Sequence, residues 1–256
     1  IAKSLEKHVP KLQKYNPTGI VEQYATWAMQ EIDFRMEAKN AKKIRKNFRE
    51  SREIIIPKIY DEFTTEKVLV IGYIEGIKLN QLQICDKQKI DRIMTIGFNS
   101  ILTQVFIHGV FHADPHAANI IIVDDKISYV DFGIVGKFDK ELKEKALSLF
   151  IGIIEQDVDK IINAFLELGN VSEKELDIES FRLELKDMVS KLKEGNIKEI
   201  RVSILLQKVL RVALNYQIRI PLDFVLFGRT VLTLEGIALR YDPEFKLNRN
   251  IIFDIP

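Results

Sequence analysis

The stretch "GVFHADPHAANIIIVDDKISYVDFG", residues 109–133, carries the densest set of chemically active side chains in the protein. It holds His112, Asp114, His116, Asp124, Asp125 and Asp131, and His108 stands just ahead of it. Such crowding has three readings: a transition-metal site, a phosphoryl-transfer site, or a polar loop without chemistry. His108 and His112 are four apart and would share one face of a helix. Asp114 and His116 follow, and zinc accepts histidine and carboxylate ligands. Against a metal cage, Gly109 and Pro115 oppose a continuous helix, and no HExxH pattern occurs.

The phosphoryl-transfer reading uses more of the residues. His112, Asp114 and Asn119 form an H-x-D-x-x-x-x-N array, a hairpin follows, and Asp131-Phe132-Gly133 closes the stretch. Protein kinases place their catalytic loop and DFG motif in this order. Such a loop positions Asp114 to accept the proton of a substrate hydroxyl, and its far end turns Asn119 toward Mg2+. The hairpin carries the chain out and back, so Asp131 returns beside Asn119. Mg2+ takes few hard oxygen ligands from protein and keeps water and phosphate oxygens as the rest. His112 and His116 are then scaffold, ordering the loop by hydrogen bonding and packing. A lone DFG is common by chance, whereas the joint pattern is hard to obtain without chemistry behind it.

Working outward, "NIIIV" (119–123) and "ISYV" (127–130) predict a β-hairpin around Asp124-Asp125-Lys126. Upstream, residues 89–108 predict a buried helix. From Ile93 to Ala113 there is no formal charge, about the length of a bilayer span. Yet Thr95, Asn99, Ser100, Thr103, Gln104 and two histidines lie within it, and lipid would penalise them. A helix within a folded core fits better. Residues 54–76 are β-branched and punctuated by Pro57, Gly72 and Gly76, which predicts two or three short strands. A long helix is predicted from about Ile20 to Arg49, a run free of Gly and Pro. From about Asp139 onward, apolar residues recur at three and four spacing, as helices require. The sum is an α+β protein with a small sheet and a large helical lobe.

Totals narrow the function. The 256 residues are 46% hydrophobic, enough for one large domain or two lobes. A net charge of +1 gives no basic excess that would call for a nucleic-acid partner. Cys85 is the single cysteine, so neither a disulfide framework nor a cysteine metal cluster can form, and a reducing, cytoplasmic location is expected.

Two kinase-like families share this pattern. "HADPHAANIIIV…VDFG" resembles the aminoglycoside- and choline-kinase type, and resembles the UbiB family (ubiquinone-biosynthesis kinase-like, AarF-type) more closely. "QEIDFRMEAKNAKKI" (30–44) matches the UbiB signature E-x-D-[FY]-x-x-E-A-x-N, which the small-molecule kinases lack. "IPKIYDEFTTEKVLVIGYIEGIKL" is similar to that family's next block, and "IPLDFVLFGRTVLTLEGIALRYDPEF" (220–245) to its C-terminal segment. The resemblance implies a protein-kinase-like fold, with a partial N-terminal lobe over residues 1–75 and a helical C-terminal lobe over 76–256. It implies ATP and Mg2+ as cofactors, Asp114 as catalytic base or water-positioning group, and Asn119 and Asp131 as metal ligands. Glu37 would pair with the nucleotide-binding lysine. Glu31 and Asp33 would form the E-x-D pair that restrains the nucleotide site. Asp33 and Glu37, four apart, would share one helix face, while Glu31 points elsewhere. Partners would be ATP and an isoprenoid lipid or membrane-associated component, with membrane association supplied by segments outside this chain. A pseudokinase-like binding module is the alternative from another class.

The sequence departs from that family's pattern in places. Ala117-Ala118 stands where Pro-Gly is usual, and Gly72 where an acidic hinge residue is common. No VAIK-type lysine, Gly- or Ala-rich nucleotide loop or KxGQ segment lies before residue 20. After DFG there is no APE motif and no room for an activation loop, which disfavours protein substrates. The expectation is weak or absent ATP binding and no activity for residues 1–256 alone. A calorimetric titration with MgATP checks this, and tight binding by these residues refutes it.

Overall fold

The computed structural model describes residues 33–83, 87–169, 176–194 and 202–245, with residues 4, 18, 21 and 171 besides. Two short sheets and seven bounded α-helices are found among the described residues, a mixed α+β structure. Helix α1, Phe34–Asn47, begins abruptly. Asp33 is its N-cap, with extended backbone (φ −111°), and its carboxylate accepts the Arg35 N–H at 3.0 Å. An uninterrupted helix over 20–49 is thus corrected at Asp33. A short carboxylate competes for backbone N–H groups and favours a cap over a helix interior.

The larger sheet has the order β1-β5-β4-β2. Its centre is the hairpin of β4 (Ile120–Val123) and β5 (Lys126–Tyr129), joined through Asp124 at φ +54°, a conformation aspartate tolerates. Strand β1 (Ile54–Ile55) runs parallel to β5, and β2 (Ile77–Lys78) antiparallel to β4. Between them, Tyr60 N–H donates to Val70 O (3.0 Å) and Gly72 N–H to Lys58 O (2.7 Å), an irregular antiparallel ladder. The strands expected over 54–76 are therefore short and partly irregular.

Helix α2, Lys87–Leu102, buries Ile90, Ile93, Met94, Ile96, Phe98, Ile101 and Leu102 and runs into a π-helical turn, Thr103–His108. The uncharged segment is thus a core helix. Among the described residues no helix is long and apolar enough to cross a membrane. Gly109 ends the turn at φ +68°, where a β-carbon would also meet Phe138 O at 2.5 Å. The chain then enters β3 (Val110–His112), which pairs antiparallel with β6 (Val135–Lys137). Gly136 lies opposite Phe111, and a β-carbon there would sit 2.1 Å from that ring.

The helical remainder follows the predicted spacing with one unforeseen break. Helix α3 (Lys140–Glu155) is capped by Asp139, which accepts Leu142 N–H at 2.8 Å. It ends at Gln156 (φ +56°), and Asp157 accepts the N–H groups of Asp159 and Lys160 to start α4 (Val158–Gly169). Helices α5 (Ile178–Glu194), α6 (Val202–Asn215) and α7 (Leu222–Tyr241) complete the order.

Phe227 of α7 is wholly buried and touches five other phenylalanine rings: Phe106, Phe111, Phe138, Phe150 and Phe224, at centroid distances of 5.5–6.4 Å. Those rings come from the π-turn, β3, the segment after β6, α3 and α7 itself. Edge-to-face packing of this kind adds to simple burial. His112, directly after Phe111, is also wholly buried. Its Nδ1 accepts Asp114 N–H (3.2 Å), so the ring proton sits on Nε2 and is donated to Val130 O (3.2 Å). Its own backbone N–H donates to Gln104 Oε1 at 2.9 Å. Burial holds the ring below its ordinary value of 6.5, against weaker raising effects from Val130 O and Asp131.

Two outcomes are expected. Phe227→Ala removes the hub of the aromatic cluster and should cost about 3–5 kcal/mol in chemical denaturation. The folded state holds His112 neutral, whereas the unfolded chain takes up a proton as pH falls through 6.5. Its contribution is present in full above that pH and is lost below it, at up to about 1.4 kcal/mol per pH unit. Denaturation at pH 7.5 and 5.5 should give a shallower loss for His112→Asn, and equal slopes would remove His112 from the acid response.

Candidate active site

Residues 113–119 bridge the two sheets. The loop leaves β3 with Ala113 N–H on Ile134 O (3.1 Å) and is tightened by His116 N–H on Asp114 O (2.8 Å) and Asn119 N–H on His116 O (2.8 Å). Asn119 is nearly buried, and its side-chain Nδ2 donates back to Asp114 O at 3.3 Å. With the amide nitrogen so used, its Oδ1 is the oxygen left for a ligand. At the other end, Val130 N–H donates to Asn119 O (2.9 Å), extending the hairpin ladder by one pair. Asp131, the next residue, therefore stands beside Asn119 at the mouth of the hairpin. These two hard oxygen donors suit a Mg2+ ion that keeps water and phosphate as its other ligands.

Asp131 takes φ +63°, which few non-glycine residues adopt. Its Oδ1 accepts Gly133 N–H at 3.3 Å, and the carboxylate is exposed. The next peptide is held from outside the hairpin. Phe132 N–H donates to Glu37 Oε1 at 2.9 Å, and Phe132 O accepts Asn40 Nδ2–H at 3.1 Å. Helix α1 thus grips Phe132 by both backbone groups. The Phe132 ring is buried against His112, centroids 5.3 Å apart.

Four of the expected site residues, Glu37, Asp114, Asn119 and Asp131, come together around this loop. Glu31 lies outside the described residues. Asp33 does not share a helix face with Glu37, because it lies before the first turn. Its carboxylate is forked by the Arg35 guanidinium, with contacts of 2.8–3.1 Å, and those hydrogen bonds hold it below the usual carboxylate range.

The three described histidines have the following partners. Both ring nitrogens of His112 are used, His116 Nδ1 accepts Ala118 N–H (3.2 Å), and His108 packs edge-on to Phe48. Among the described residues, no three His, Cys, Asp or Glu side chains are grouped closely enough to hold a metal ion.

Two residues at the site escaped the sequence reading. Asn40 is the final position of the signature over 30–44, quoted there without a role. Arg229 of α7 lies with Nη2 3.2 Å from Asp114 Oδ1. Nothing local marks it, since its partner is far away in sequence.

Residues 1–165 match the ABC1 atypical kinase-like domain, and residues 185–246 match the UbiB helical domain. The Arabidopsis thaliana protein Activity of bc1 complex kinase 8, chloroplastic, is 30% identical over 96% of this chain and 37% of its own length. Its relative Activity of bc1 complex kinase 7, chloroplastic, is 31% identical over 89% of this chain and 33% of its own length. An uncharacterized Synechocystis protein is 29% identical over 96% of the chain and 44% of its own length. The chain therefore spans less than half the length of these curated relatives. A Mycobacterium tuberculosis protein solved in complex with erythromycin superposes with a TM-score of 0.59 at 18% identity, covering 93% of this chain and 62% of that one. At that identity the likeness speaks for the fold. With the two family models together matching most of its residues, the chain belongs to the ABC1/UbiB family of atypical kinase-like proteins.

Proposed function

We propose that this chain is the catalytic part of an ATP- and Mg2+-dependent atypical kinase or ATPase of the UbiB type. It would act in isoprenoid-lipid (quinone) metabolism rather than on protein side chains, with residues 1–75 and 76–256 as its two lobes. The observation that carries the reading is the meeting of Asp114, Asn119 and Asp131 at one hairpin mouth, with the following peptide fixed by Glu37 and Asn40.

In this reading Asp114 accepts the proton of the attacking hydroxyl or water. Asn119 and Asp131 hold Mg2+, which when bound neutralises phosphate charge. A nucleotide-binding lysine would pair with the Glu37 carboxylate. His112 excludes water beneath the loop and fixes the direction of Asp114 through its backbone N–H. Glu31 and Asp33 would restrain the nucleotide site, Asp33 as the cap of α1 rather than as a second carboxylate in the cleft. Only residues 134–139 separate Gly133 from α3, and six residues cannot form a peptide-docking activation segment. That supports a small or lipid-linked acceptor. ATP and an isoprenoid lipid or membrane-associated component are the proposed partners, with no nucleic acid.

The test uses the full-length protein containing this chain. Asp114→Asn should lower MgATP-dependent phosphate release by about 10²–10⁴-fold while nucleotide affinity persists. Asn119→Ala and Asp131→Asn should raise the Mg2+ concentration needed for half-maximal activity. Phosphate release and cellular function that both survive Asp114→Asn would sink the assignment.

A further inference from the structure

We propose that Arg229 is a catalytic residue of this centre, supplied by helix α7, whose guanidinium both braces Asp114 and meets the transferred phosphoryl group. The inference rests on the phosphotransfer reading above and adds to its Mg2+ and lysine a cation of this chain placed beside Asp114.

The sequence of the site makes the deficit plain. Between Gly109 and Gly133 there are four aspartates, no arginine and one lysine, Lys126. Lys126 pairs with Val123 at the closed end of the hairpin, opposite to the end where Asn119 and Asp131 stand. Phosphoryl transfer spreads negative charge over three equatorial oxygens, so a centre built from acids needs a fixed cation beside its base. Arg229, 3.2 Å from Asp114, is the cation that the fold brings there.

Stability alone does not account for the pair. The Arg229 side chain is 51% exposed and that of Asp114 24% exposed. An ion pair so open to water contributes little to folding. What fixes Arg229 is the helix it rides on. Phe227 and Thr230, on either side of it, are wholly buried. The Asp223 carboxylate of the same helix accepts Lys137 N–H at 2.9 Å, tying α7 to the strand that follows DFG. The backbone that carries Arg229 is therefore fixed by burial elsewhere, and the contact with Asp114 places its guanidinium, as a preorganised transition-state group should be. Its planar fork carries five N–H donors, so one can hold Asp114 while others face an anion.

In the step itself, the bond between the terminal phosphorus and its bridging oxygen breaks, and its electron pair leaves with ADP. A bond forms between that phosphorus and the oxygen of water or an acceptor hydroxyl, whose proton passes to Asp114. Arg229 keeps the Asp114 carboxylate aimed at that oxygen and balances charge on the phosphoryl oxygens.

The full-length protein, Arg229→Ala, Arg229→Lys and Asp114→Asn should be compared. Phosphate release, binding of MgADP, binding of MgADP–aluminium fluoride and thermal melting would be followed. For Arg229→Ala we expect kcat to fall about 10²–10³-fold. MgADP affinity and melting should stay near wild type, while the preference for MgADP–aluminium fluoride over MgADP disappears. Added guanidinium ion should restore part of the turnover to Arg229→Ala and none to Asp114→Asn, and Arg229→Lys should lie between wild type and alanine. Unchanged or raised turnover in Arg229→Ala overturns the proposal, as does a loss that tracks MgADP binding or melting. A wild-type protein without MgATP turnover sinks the kinase reading, and this inference with it. Active wild type with indifferent Arg229→Ala sinks this inference alone.

Discussion

The grip of helix α1 on the Phe132 peptide is the constraint around which the site is arranged. Glu37 accepts the N–H and Asn40 donates to the carbonyl, so each of the two peptide units that meet at Phe132 is held by one bond from α1. The bond to the Glu37 carboxylate is charge-assisted and contributes about 1.5–3 kcal/mol. The left-handed backbone of Asp131 costs about 1–2 kcal/mol. The grip is of the right size to offset that strain, which holds Asp131 in a conformation an unrestrained aspartate would leave.

Beneath this peptide, a second anchor works from the core. His112 spends both ring nitrogens and its backbone N–H on three partners, Asp114, Val130 and Gln104. Gln104 belongs to the π-turn, Val130 to the end of the hairpin, and Asp114 to the loop. One buried histidine, through its ring and its backbone N–H, therefore joins the π-turn, the returning strand and the loop over residues 113–119. The aromatic cluster around Phe227 continues the linkage to the helical remainder, since Phe111 precedes His112 in β3. Chemistry at the loop is tied to packing far behind it.

Much of this was legible in the sequence because it is local. The hairpin needs only alternating β-branched residues and a turn, and the H-x-D-x-x-x-x-N array and DFG lie within 22 residues of each other. The core role of residues 93–113 followed from polar groups a bilayer would reject. The onset of α3 near Asp139 followed from apolar residues recurring at three and four spacing. The illegible parts fall into two kinds. Asp33 and Gln156 are single-residue conformational choices, where capping or a left-handed turn overrides strong helical periodicity on both sides. Asn40 and Arg229 act across chain separations that no spacing rule encodes. Asn40 could be quoted as part of a signature, but its partner is a backbone carbonyl, and carbonyls carry no sequence label.

Those separations also set an order in time. Glu37 reaches Phe132 over 95 residues, Lys137 reaches Asp223 over 86, and Asp114 reaches Arg229 later still. A ribosome adds about 5–20 residues per second, so several seconds pass between emergence of the loop that holds Asp114 and emergence of Arg229. In that interval the hairpin can fold while the centre stays incomplete. A chain built in this order brings Arg229 to Asp114 only once α7 has docked.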